Sequence, residues 1–297
     1  NNTDDIFIAT KLDIFNAFNT SALSLLQSKN INYSYSILDF PKDKKTLLSE
    51  LFKLFQPMDN KIDLDVKKLH YSNGDEYYGE WDVQKLQKRG RGIQFFYNSK
   101  KIYYGYWENN KMNGKGKIIL CPNIKYFKMT LEDENLPYYL GDWLNGLQNG
   151  EGVEKFDGNL KYKGQFREGY RDGNGVLTFP DGSIYEGQFS QGVVQGKGKM
   201  IYKDKRIYNG NWMNNKMNGK GEFIWPDGKR YTGGYCNNLK SGYGEFYWPN
   251  GKIYKGQWEN GKQNGEGKLI NTNTQETIIG IWKDGKKIKY KKVKGCE

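Results

Sequence analysis

The chain has 297 residues, a formal net charge of +12, 36% hydrophobic and 15% aromatic residues, and 37 glycines. No apolar run reaches the length of a membrane-spanning helix, and this balance excludes a large aliphatic core in favour of an extended β architecture with many turns. Three cysteines, Cys121, Cys236 and Cys296, are far apart and odd in number, which argues against a disulfide framework or zinc site and predicts reduced thiols in a cytoplasmic protein.

The sequence starts at Asn1 and is expected to be processed or cropped there. Residues 1–67 do not repeat and are near neutral, with eight lysines against nine acids. Thr3-Asp4-Asp5 ahead of Ile6, Ile8, Leu12, Phe15 and Phe18 reads as a capped amphipathic helix. INYSYSI at 31–37 alternates like a strand, and Pro41 opens a second helix with Leu47, Leu48, Leu51, Leu54 and Phe55 on one side. This segment is expected to cap the following array or pack on its first hairpins. The alternative is a docking element for another chain.

From residue 68 to 282 the chain repeats. Tyr139, Tyr162, Tyr185, Tyr208, Tyr231 and Tyr254 follow one another at intervals of 23 residues, and earlier copies begin at Tyr77 and Tyr103. A degenerate last copy carries Gly280 and Trp282, and an insertion falls near 121–138. In each copy, two strands fit. Tyr162, Gly164 and Phe166 alternate onto one side of the first strand, and Gly173, Gly175, Leu177 and Phe179 share a face of the second. PDG at 180–182 is a tight turn, repeated in WPDGK at 225–229 and WPNGK at 248–252. Each period is therefore a β-hairpin. The rings at Trp81, Trp107, Trp143, Phe166, Phe189, Trp212, Tyr235, Trp258 and Trp282 should form a column. Beside it should run a column of Gly-x-Gly pairs, each ring covering bare backbone. These pairs are not phosphate loops, because they recur in every hairpin and open no helix.

The final stretch, 283–297, is a basic tail with seven lysines against two acids. It suits an acidic protein surface or anionic lipid, or is a solvated terminus.

The pattern YxGxW…GxGxxxxxxG, repeated in tandem over roughly 70–285, resembles the MORN repeat family. The resemblance implies an elongated, single-layer antiparallel sheet with a groove. It also implies no catalysis of its own and service as a scaffold in cytoskeletal assemblies, ciliary radial spokes among them. Departures occur at Gln87-Lys88-Arg89, at Tyr235 in place of Trp, and at Thr277 or Ile278 in place of Tyr.

The expected fold is thus mostly β, a sheet of tandem 23-residue hairpins with a small α-rich N-terminal segment. An enzyme is disfavoured: His70 is the one histidine, and no nucleophile, base and acid can be assembled around it. No metal spacing or cofactor motif is present. The expected function is a non-catalytic protein–protein scaffold of a cytoskeletal assembly, in a cilium or axoneme, binding partner segments or a second copy of the array. Its groove contacts are expected from Tyr208, Trp212, Tyr231, Tyr235, Tyr254 and Trp258. The alternative is a membrane-surface adaptor that meets anionic lipid, or an acidic partner, through Lys286, Lys287, Lys289, Lys291 and Lys292. Nucleic acid is set aside because the rings are committed to glycine and lysines alternate with acids.

Overall fold

The computed structural model describes Phe55, residues 64–120 and residues 136–294. The helices and strand expected within 1–54 and the insertion at 121–135 lie outside the described residues. The described residues fall into two units, divided between Pro180 and Asp181.

The first unit contains β1 (Leu64–His70), β2 (Glu76–Asp82), β3 (Gln87–Phe96), β4 (Lys101–Glu108), β5 (Lys111–Leu120), β6 (Tyr138–Leu144), β7 (Leu147–Lys155), β8 (Lys161–Arg167) and β9 (Tyr170–Thr178). Each strand pairs antiparallel with the next. The second contains β10 (Ile184–Ser190), β11 (Val193–Ile201), β12 (Ile207–Met213), β13 (Lys216–Ile224), β14 (Arg230–Cys236), β15 (Leu239–Tyr247), β16 (Lys252–Glu259), β17 (Lys262–Asn271), β18 (Glu276–Lys283) and β19 (Lys286–Lys294), paired in the same way. Each unit is a single open antiparallel sheet of hairpins.

The hairpins close because two adjacent residues accept positive φ. Asn145-Gly146, Glu168-Gly169, Asn214-Asn215 and Asn237-Asn238 are such pairs, the demand of a two-residue type I′ turn. The turn asparagines also stitch hairpin to hairpin. Asn215 Oδ1 accepts from the Val194 amide at 2.7 Å, and Asn238 Oδ1 accepts from the Met217 amide at 2.8 Å. The turns between repeats form as expected: the Trp225 amide donates to Lys229 O at 2.9 Å, and Gly228 takes a φ of +84°.

The glycines of one hairpin serve two different ends. In β12–β13, Gly210 faces Gly221 across the strands, and a Cβ on Gly221 would lie 2.4 Å from the Tyr208 hydroxyl. Gly219 instead sits at the bulge with φ +84°. Gly219 and Gly221 are expected in one column from their spacing, but the bulge turns the first of them aside. In several repeats the side chain that follows the first-strand glycine caps the bulge: Gln165 Oε1 accepts from the Asn174 amide and Gln188 Oε1 from the Lys197 amide, both at 2.8 Å.

The stretch expected as a basic tail forms β19 on β18. Its lysines suit an edge strand, where charge discourages pairing with further strands.

Candidate interaction surface

One face of each sheet is closed by rings. The repeat tyrosines, Tyr103, Tyr139 and Tyr162 in the first unit and Tyr208, Tyr231 and Tyr254 in the second, are fully buried. Each phenol donates to the carbonyl three residues on, as Tyr208 does to Asn211 O at 2.9 Å and Tyr231 to Gly234 O at 3.0 Å. Burial raises the phenols above their ordinary range at Tyr103, Tyr139, Tyr208 and Tyr231, and to about 12 at Tyr254.

Within each unit the second ring of a repeat can stand edge-on both to its own tyrosine and to that of the preceding repeat, as Trp143, Trp212 and Trp258 do. Trp212 lies 5.1 Å from Tyr208 and 5.4 Å from Tyr185; Trp258 lies 5.4 Å from Tyr254 and 5.1 Å from Tyr231. These T-shaped contacts are each worth about 0.5–1.5 kcal/mol beyond area burial. The indoles have a further partner: Trp212 Nε1 donates to Gly198 O at 3.0 Å and Trp258 Nε1 to Gly244 O at 3.2 Å. The ring over the second-strand glycine is the tyrosine, not the Trp or Phe expected beside it. The indole instead binds that glycine's carbonyl from the next hairpin.

The six rings expected to line a partner groove are all brought together here. Tyr208, Trp212, Tyr231, Tyr235, Tyr254 and Trp258 are also all buried, the most open of them 7% exposed. They contact one another, so a partner would meet other side chains. One variable position per repeat also points into the rings. Met112, Met217, Lys88 and Lys240 each pair with the second ring of their hairpin. The Lys88 ammonium lies 4.4 Å from the Trp107 ring and 5.1 Å from that of Tyr77, and burial pulls its pKa down to about 8. Lys240 sits 5.4 Å from both Trp225 and Trp258.

The opposite face carries a feature that the repeat spacing alone does not reveal. In the second unit the registers set Ile184, Ile201, Ile207 and Ile224 side by side on successive strands. The row continues through Arg230 and Tyr247, whose guanidinium lies 4.4 Å over the phenol ring, then through Ile253, Ile270, Thr277 and Val293. Ile184 and Ile201 are each 37% exposed. The signal was present as the Ile that precedes Tyr185, Tyr208 and Tyr254 and the Ile of MI, FI and LI on the second strands. Only the strand register aligns them.

The equivalent row of the first unit is Phe95, Ile102, Ile119 and Tyr138. There Phe95, Ile102 and Ile119 are at most 2% exposed and join Tyr78, Ile93 and Tyr104 in a core. Phe55 packs against it, its ring 6.2 Å from Tyr104 and 5.4 Å from Tyr106.

The five lysines proposed for lipid or acidic partners do not share a face. Lys287 and Lys292 pair with Trp282 and Ile278 on the ring side; Lys289 and Lys291 pair with the exposed Ile281 and Ile279 on the other; Lys286 pairs with Lys283 beside the turn. His70 contacts Glu76 at 3.1 Å. Among the described residues no group of three His, Cys, Asp or Glu could hold a metal ion, and no helix is long and apolar enough to cross a membrane.

A family model described as MORN repeat matches seven stretches, 103–121, 139–159, 162–184, 185–205, 208–230, 231–253 and 254–273. The hairpin at Tyr77, outside those matches, has the same geometry: Tyr77 is buried, donates to Glu80 O at 2.7 Å and lies where a Cβ on Gly92 would be. A search of curated proteins finds no match. Among solved structures, the chain is similar to one titled streptogramin B lyase, with 8% identity, a TM-score of 0.15, and coverage of 82% of this chain and 87% of that one. At that TM-score the likeness carries no argument.

Proposed function

The chain belongs to the MORN repeat family, and on that premise we propose that it is a protein–protein scaffold of a cytoskeletal assembly. Its repeats are a non-catalytic interaction module. The setting we assign it, a cilium or axoneme with a radial-spoke-like assembly, rests on the resemblance alone. The observation that carries the scaffold reading is the partly exposed aliphatic row of the second unit, broken only by the Arg230–Tyr247 pair, since aligned apolar surface of this kind marks an interaction site. The ring face supports the same reading indirectly. It ties hairpin to hairpin through ring contacts and indole–carbonyl bonds, which favours presenting the row in one arrangement.

Cross-linking mass spectrometry of the full chain in its native cell tests this. Protein neighbours should attach through Lys199, Lys255 and Lys268, which stand beside the row. Cross-links confined to the chain itself would sink the scaffold reading.

A second reading, a membrane-surface adaptor, is favoured by the lysines of β19, together with the exposed Ile288 and Tyr290 between them. Flotation with phosphatidylserine vesicles tests it. Binding should fall when Lys289 and Lys291 are both changed to Glu, and unchanged flotation would exclude the strand as the contact.

A further inference from the structure

The aliphatic row has dimensions, a charge and a counterpart that narrow its occupant. Ten strands at about 4.8 Å spacing make a line of about 43 Å, the length of a helix of about 29 residues. The row is one side chain wide, with an aliphatic group on eight of its ten strands if the Thr277 methyl is counted. A helix lying across the strands would set roughly one turn of 5.4 Å on each strand, so an apolar stripe at i, i+3, i+4 and i+7 follows such a line.

Charge favours an acidic partner. Residues 181–294 hold 21 Lys and Arg against 10 Asp and Glu, so nearly all of the chain's +12 resides there. In the row alongside the aliphatic one lie Lys199, Lys255, Lys268 and Lys291, of which Lys255 is already paired with Glu245 at 2.9 Å, leaving Lys199, Lys268 and Lys291 to meet a partner's carboxylates. Glu186, Glu222 and Glu245 interrupt that same neighbouring row. A bilayer of anionic lipid would meet those carboxylates across its whole surface. A helix can turn its own acidic residues toward the lysines only. The first unit supplies the precedent: its equivalent row is not bare, and Phe55, from outside the array, packs on the core it belongs to.

We propose that the Ile184–Val293 row binds an acidic amphipathic helix of a partner protein, laid across the strands with its apolar stripe on the isoleucines and its carboxylates on the flanking lysines. This rests on the scaffold reading and specifies its partner.

The test is fluorescence anisotropy of the full chain against three labelled synthetic peptides of about 28 residues. One is a helical peptide with leucines in one stripe and flanking glutamates, the second has the same composition scrambled, and the third has lysines for the glutamates. The first should bind at least tenfold more tightly than either of the others. Ile184→Lys and Ile201→Lys, singly and together, should weaken it at least tenfold, whereas Leu144→Lys, an exposed apolar site in the first unit, should leave it unchanged. The two row positions are already partly exposed, so both variants should keep the wild-type thermal transition.

Equal binding of the scrambled peptide would reduce the effect to net charge and overturn the proposal. So would indifference to both row substitutions, or row-dependent binding to phosphatidylserine vesicles in place of the peptide. A silent row caused by the chain's own N-terminal residues or by a second copy would appear as no peptide binding, with a dimer by light scattering in the latter case, and overturns it equally. If the peptide fails but the row variants still lose protein neighbours in the cell, the scaffold reading survives without the helix. If both fail, both are wrong.

Discussion

The two units share a ring face and differ on the other. In each, buried tyrosines donate to backbone carbonyls and stand edge-to-face with the next ring. On the opposite face, one row of the sheet is sealed at Ile102 and Ile119 and half open at Ile184 and Ile201. The ring face is therefore what makes a repeat fold, because it is common to both. The far face is free to vary, so individuality belongs there. A single-layer sheet can be stable with one face covered, provided that face is made of large rings over bare backbone.

The strongest way to break this comparison is alkali. Phenols held above their ordinary pKa keep their protons in the folded chain, while the unfolded chain loses them above about pH 10. The sign follows: stability is undiminished below pH 10 and falls above it, by about 1.4 kcal/mol per pH unit for each fully buried phenol. Tyr103 and Tyr139 in one unit and Tyr208 and Tyr231 in the other share this shift. Circular dichroism should show both units unfolding together as pH passes 10 to 12. Loss of one unit alone would mean the ring faces are not equivalent.

Next in size are the covered glycines. A Cβ on Gly116 would lie 2.3 Å from the Tyr103 hydroxyl and one on Gly221 2.4 Å from that of Tyr208. Gly116→Ala and Gly221→Ala should each cost about 3 kcal/mol in urea denaturation, at the upper end of overpacking. Similar losses in the two units support a common folding element.

The far face should then separate the units. Ile102→Ala removes a side chain from a closed core and should cost about 2–4 kcal/mol. Ile201→Ala, at a half-open site, should cost under about 1 kcal/mol. Equal costs would show that the second row is covered as well. The smallest effect belongs to Tyr208→Phe, which removes the bond to Asn211 O and should cost about 1 kcal/mol by thermal melting.

Much of this was legible in the residues because it is local. The period, the hairpins, the PDG turns and the ring column follow from spacing within 23 residues. Which ring covers which glycine was not, because the bulge between Gly210 and Trp212 shifts the register and places Gly219 apart from Gly221. The isoleucine row was hidden for a related reason. Each Ile is next to a Tyr or a core residue, one position out of phase, and reading only the aromatic face passes over it. The burial of Trp212 and Trp258 was not legible for a simpler reason: edge-to-face packing against the tyrosines of two successive repeats is set by the strand register. The lysine-rich end alternates in KIKY, which is compatible with a strand, but its charge outweighed that pattern.

At the far end, the repeat chemistry is inverted. Ile278 stands where a repeat tyrosine would, and Tyr290 stands opposite Gly280, where earlier hairpins place a glycine. A Cβ on Gly280 would fall 2.7 Å from the Tyr290 Cβ, and the Tyr290 side chain is 53% exposed. An additional hairpin would bring an indole seeking a glycine carbonyl and a flat seat, and would find a phenol rising from the strand instead. Copying a unit upstream of β18 should therefore keep the ring chemistry intact, whereas a unit copied onto β19 would have to seat its rings against that phenol.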